Sequence, residues 1–177
     1  TYMFLHLEFL HILFNLLWLY WFGLIFVKYL SQRQLLGTYL FGGIAGALLY
    51  VLAFNIFPVF SLARESALAL GASASVLAIV VAIAFYVPEY TIHLLFLGPV
   101  KIKYIAIFSI LMDLLMLNSG NAGGHIAHLG GALWGFAWVK MIPAFDPTKI
   151  FMHSGFSFTN PFKRRKKPKL KVYRGSK

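Results

Sequence analysis

From Phe9 to Val27, and again from Leu35 to Phe57, the chain carries no Asp, Glu, Lys or Arg. Runs of this length and composition match the hydrocarbon core of a bilayer, about 30 Å thick and crossed by about 20 apolar residues in a helix. In lipid a backbone must satisfy its own hydrogen bonds, so each run predicts a membrane-spanning helix. The first is expected over Phe9 to Val27, ending at Lys28 and the polar connection Ser31, Gln32, Arg33, Gln34. The second, over Leu35 to Phe57, is rich in small residues (Gly42, Gly43, Ala45, Gly46, Ala47) and is closed by Pro58, which cannot continue a helix. A third is expected over Ala67 to Val87, stopped by Pro88. After an amphipathic stretch with Gly98, Pro99, Lys101 and Lys103, a fourth covers Tyr104 to Leu117. The polar loop from Asn118 to Gly124 leads into a fifth, ending near Pro143.

Composition agrees. Of 177 residues, 60% are hydrophobic and 12% charged, about half the charged share of a soluble domain. Disordered and collagen-like classes are excluded, and with no cysteine so are thiol chemistry and disulfide-stapled folds. The fold class is therefore all-α, a polytopic transmembrane helical bundle. The first residue is Thr1 rather than Met, so the chain reads as a fragment with some upstream sequence missing.

The net charge of +11 comes from 16 basic against 5 acidic residues, and nine of the basic ones lie between Lys163 and Lys177. With alternating spans, Lys28, Arg33, Lys101, Lys103, Lys140, Lys149 and that tail all fall on one side, leaving Arg64 on the other. Basic residues accumulate in cytoplasmic loops. The C-terminus is expected inside, and the tail to meet anionic lipid headgroups rather than nucleic acid.

Ionisable and amide groups inside a membrane default to function. Five stand out: His11 and Asn15 in the first span, Ser73 in the third, Asp113 in the fourth and His128 in the fifth. His11 and Asn15 share a helix face. At 1.5 Å per residue, His11, Asn15, Ser73 and His128 all fall roughly 5 to 12 Å below the outer surface. Ala74, Ala78 and Ala82 form one small-residue stripe, Gly131 and Gly135 another; such stripes let membrane helices approach and would bring Ser73 to His128. An imidazole within hydrogen-bonding distance can take the proton that a serine cannot lose alone.

The segments HLEFLHILFNLLW (His6 to Trp18), GASAS (Gly71 to Ser75) and AHLGGALWG (Ala127 to Gly135) together resemble the rhomboid intramembrane serine proteases, of bacterial type, over about Tyr2 to Lys140. The resemblance implies five spans of a six-helix core, with residues 1–143 a rhomboid domain lacking its first helix and first outer loop, and residues 144–177 a basic cytoplasmic tail. It implies Ser73 as nucleophile in the G-x-S motif with Gly71, and His128 as general base in the H-x-x-G-x-x-x-G pattern with Gly131 and Gly135, in place of His125. It assigns His11 and Asn15 to oxyanion stabilisation beside the Ser73 backbone N–H. With no carboxylate expected at this level, the site would be a Ser–His dyad. Substrates would be membrane proteins cut within or near a transmembrane helix, at the cytoplasmic (inner) membrane of a bacterium. Ala74 stands where the family usually has Gly, and Leu77 where many members carry an aromatic ring.

Ser75, two residues on, is expected to point elsewhere. Asp113 reads as a helix-end or interhelical hydrogen-bonding residue, with a part in substrate access as the alternative. His6, His11, His125 and His128 lack a carboxylate or thiol to complete a metal site, and H-E-x-x-H is missing. No metal or cofactor is expected. The alternatives are a non-catalytic rhomboid-like protein that binds membrane clients, whose members lack the serine or histidine retained here, and a transporter, which would place its polar groups at the midplane.

Overall fold

The computed structural model describes residues 2–5, 8–60, 71–94, 98–118 and 120–142. Five helices form the body: α1 (Phe9–Tyr29), α2 (Gln32–Ile56), α3 (Ser73–Tyr86), α4 (Ile102–Leu115) and α5 (Ala122–Met141). The basic tail, the surroundings of Arg64, and Pro143 fall outside the described residues.

Local chemistry fixes several boundaries. Ser31 starts α2 with a reciprocal cap: its Oγ accepts from the Gln34 N–H at 3.2 Å, and Gln34 Oε1 accepts from the Ser31 N–H at 2.9 Å. Such a box satisfies two otherwise unpaired donors and contributes about 1 kcal/mol. At α5 the cap is one-way: the Asn121 side chain accepts from the Gly124 N–H. Pro58 falls one residue beyond the α2 C-cap, in a single 3₁₀ turn, Pro58–Phe60.

The amphipathic stretch after α3 forms an antiparallel strand pair, β1 (Thr91–Leu94) with β2 (Gly98–Lys101), in which Thr91 faces Lys101 and Leu94 faces Gly98. Its alternating exposure is the two-residue period of a strand. Glu89, just before β1, bridges to Lys101 at 2.6 Å and also to Lys103.

Helix α3 lies at the centre, with every residue from Ala74 to Ala84 buried. Its neighbours approach through small residues: a methyl added at Gly46 would sit 2.8 Å from the Ala74 Cβ, and one at Gly131 or Gly135 would overlap the carbonyl of Ala74 or Ala78. Three backbones are thereby held close, as small side chains permit in membrane helices. Helix α1 closes another side with Phe22 and Phe26, the latter stacked on Trp138 of α5 at 5.6 Å between ring centres. Helix α4 contributes Ile102 and Ala106.

Among the described residues, α1 and α2 are long and apolar enough to cross a bilayer by themselves; α3 is shorter, at 14 residues, and is enclosed by the others. The outward faces are apolar: Phe9 and Trp21 of α1, Leu48 of α2, Phe108 of α4 and Leu133 of α5 are all exposed. In water so much apolar surface would drive association; in lipid it is the solvent-facing side.

Candidate active site

The third helix starts later than its hydropathy suggests. Ser73 is the first residue of α3, not one lying six residues inside a span. Gly71 accounts for this. Its φ of +106° is outside the helical region and disfavoured for any residue with a Cβ. A Cβ there would also meet the His11 imidazole at 2.6 Å, so glycine lets that ring come up against the turn preceding Ser73. The Gly71 N–H donates to the Tyr2 carbonyl at 3.2 Å, and the Tyr2 hydroxyl donates to the Gly43 carbonyl at 2.6 Å. The segment before α1 thus ties this turn to α2. As the first helical residue, Ser73 has an N–H with no acceptor inside α3, at the positive end of the helix dipole.

Helix α5 runs alongside, and its close approach at Gly131 sets His128 one turn earlier, beside Ser73. The His128 Nε2 lies 2.5 Å from the Ser73 Oγ. Nδ1 of the same ring lies 2.8 Å from Asp113 Oδ1. A carboxylate only accepts, so Nδ1 carries the proton and donates to Asp113. Nε2 is then the free lone pair, and the serine hydroxyl donates to it. The tautomer is the one a general base needs.

Asp113 corrects two expectations. A carboxylate does reach this level, so the arrangement is Ser–His–Asp rather than a dyad. It also stands with His125 and His128 in a group whose ligand-capable atoms all lie within 4.8 Å of one another, so a carboxylate does complete a His pair. The reason is direction. Helix α4 runs opposite to α3 and α5, and its last turn, holding Asp113, comes level with their first turns. Asp113 is 6% exposed and accepts at Oδ1 from His125 Nδ1 as well, again at 2.8 Å. The interhelical hydrogen-bonding role read from the sequence describes these contacts; which partners it meets had no signal in the linear spacing.

His11, Asn15, Ser73, Asp113 and His128 share the walls of one cavity of about 320 Å³, completed by Phe14, Trp18, Val76, Leu77 and Ser109. Ser109, which the sequence reading passed over, lines it while donating to its own helix at the Ile105 carbonyl. The Asn15 side-chain N–H donates to the His11 carbonyl at 2.9 Å, which aims the amide along α1. Ser75 is fully buried, with its Oγ 3.8 Å from Met3 Sδ, away from the cavity.

An apolar bundle of helices holding a serine, a histidine and an aspartate in hydrogen-bonded series at one end is a polytopic membrane protein with a polar relay in its interior. The Rhomboid domain family model matches residues 1–144, and the chain belongs to that family. It is similar to RHOMBOID-like protein 12, mitochondrial, of Arabidopsis thaliana, with 32% identity over 148 residues that make up 78% of this chain and 44% of the relative; the chain spans less than half of that relative's length. No solved structure matches it.

Proposed function

We propose that the protein is an intramembrane serine endopeptidase that hydrolyses peptide bonds within or near transmembrane segments of other membrane proteins. The observation that carries this reading is the 2.5 Å contact between Ser73 Oγ and His128 Nε2, with the far nitrogen of the ring engaged by Asp113. A substrate carbonyl entering the cavity meets Ser73 at the start of α3. His128 takes the hydroxyl proton as the Oγ–C bond forms, and Asp113 stabilises the resulting imidazolium. The oxyanion develops beside the Ser73 N–H, with His11 and the second amide N–H of Asn15, which line the same cavity, as further donors. Removing one such donor typically costs about 2.7 to 4 kcal/mol of transition-state stabilisation. His128 then returns the proton to the leaving amine, and water attacking the acyl-enzyme completes hydrolysis.

Retention of both the serine and the histidine speaks against a purely client-binding role. The end of the bundle carrying Lys28, Arg33, Lys101, Lys103 and Lys140 faces the cytoplasm, or the matrix in an organelle, and the polar cavity faces the other side. A fluorophosphonate probe tests the assignment. It is expected to label the parent at Ser73 and to leave Ser73→Ala unlabelled; equal labelling of the two would overturn it.

A further inference from the structure

The peptidase reading uses one of the two imidazoles on Asp113 and leaves His125 without a task. His125 and His128 are three residues apart on α5, and their rings stand at 86° with centroids 5.9 Å apart. Both turn Nδ1 toward the same carboxylate oxygen. Two imidazole nitrogens and a carboxylate converging from adjacent helices make a donor set suited to a borderline divalent ion such as zinc. Zinc in open sites is commonly held by three protein ligands of this kind with a fourth position left to water. Bonds of about 2.0 Å in a tetrahedron separate ligand atoms by roughly 3.3 Å, within reach of small side-chain rotations from atoms that already lie within 4.8 Å of one another. Magnesium and calcium, which prefer all-oxygen shells, fit poorly.

We propose that Asp113, His125 and His128 form a zinc-class metal site that, when filled, switches off the serine. Asp113 and His128 border the cavity, which gives the ion a way in and room for its water. Asp113, buried among apolar helices, gains a full countercharge in place of two N–H donors. The consequence for His128 follows from its single exchangeable proton. Zinc bonds to the Nδ1 lone pair, and the proton of the neutral ring moves from Nδ1 to Nε2. Nε2–H then faces Ser73 as a donor and no longer accepts the hydroxyl proton. The Ser73 oxygen in turn orients the metal-bound ring, as outer partners of metal-bound histidines do. Metal binding stands independently of the peptidase reading; the loss of activity rests on it.

The test uses the full chain in nanodiscs. Cobalt(II) added to Ser73→Ala is expected to give the visible absorption of a tetrahedral ion at one equivalent, and His125→Gln in that background to lose it. Unchanged absorption in His125→Gln, or no retained cobalt after dialysis, overturns the site. X-ray absorption of the zinc-loaded parent supplies a check that needs no variant: scattering from two imidazoles is expected, and fewer than two rejects the proposal. In the parent, zinc is expected to block fluorophosphonate labelling and EDTA to restore it. Relative to its own metal-free rate, His125→Gln should need at least ten times more zinc for half inhibition. Labelling that proceeds with zinc bound overturns the switch, whereas a parent that never labels but still binds cobalt refutes the peptidase reading and leaves the metal site standing.

Discussion

A carboxylate 2.8 Å from Nδ1 of His128 decides which nitrogen of that ring holds the proton, and so whether Nε2 can act as a base. Asp113→Asn keeps the volume and one acceptor but removes the negative charge that stabilises the imidazolium. The comparable change in soluble serine proteases lowers kcat about 10⁴-fold. Asp113 lies in a site already held by helix packing, so a smaller fall is expected, roughly ten- to a thousand-fold, confined to kcat with KM unchanged. Steady-state cleavage of a transmembrane substrate checks this. A kcat within twofold of the parent would reduce Asp113 to a tie between α4 and α5. The serine, the histidine and the His11 and Asn15 pair stood out in the sequence because polar groups in apolar runs are conspicuous, although the depth counted for Ser73 did not hold, since that residue is the first of α3. Asp113 was equally conspicuous. Its partners were not, because the register of α4 on α5 is set across the turn Met116–Asn118 and the loop after it, and no periodicity measures that.

Among the elements, the three-way contact of α2, α3 and α5 holds the geometry, and the spacing of Gly131 and Gly135 announced its α3–α5 side. The carbonyl of Ala74 occupies the space a Gly131 side chain would need. Gly131→Ala must therefore push α5 off α3 just one turn from the Ser73 to His128 contact. Overpacking of this kind typically costs about 1 to 3 kcal/mol, and here it should also abolish labelling of Ser73. By contrast, nothing lies within 4 Å of a Cβ built on Gly120, so Gly120→Ala should unfold at the same temperature as the parent. Thermal unfolding of the two variants in one detergent checks the contrast; equal losses would mean that α3 and α5 are not in close contact. The strand pair β1–β2 was not legible beforehand, since Gly98, Pro99 and two lysines permit many connections and only pairing selects one. Hydrogen bonds from Lys101 and then Lys103 hold the Glu89 carboxyl down from 4.5 to about 2. A lowered carboxylate contributes stability above its unfolded value and loses it as pH falls through the folded one. Glu89 should therefore remain ionised from neutral pH down to about 2, and Lys101→Gln with Lys103→Gln should return its carbon-13 carboxyl titration to the ordinary range. Titration near 4.5 in the parent would mean that the bridge does not form.

At the scale of the whole molecule, apolar outward faces and a one-sided distribution of charge point to the same placement in a bilayer. Helix α1 has 21 residues and α5 has 20, each about 30 Å at 1.5 Å per residue, the thickness of the hydrocarbon core. Ser31 follows α1 at the basic end. Gly120 precedes α5 at the end that holds Ser73, His128 and Asp113. Both are exposed, and the chain has no cysteine to interfere. In vesicles with the native outer face outward, a membrane-impermeant maleimide is expected to react with Gly120→Cys at once and with Ser31→Cys only after permeabilisation. Between the two positions lie α2, α3 and α4, so reaction of both from one side would mean that these three do not make an odd number of crossings, and the reversed pattern would put the basic end outside. The outcome also bears on the chemistry. Hydrolysis consumes water, and a cavity at the end of the bundle draws it from the nearer aqueous phase, whereas a site at the midplane would have to carry it through lipid. On the proposed peptidase reading, the side that labels at Gly120 is therefore the side from which water would reach Ser73.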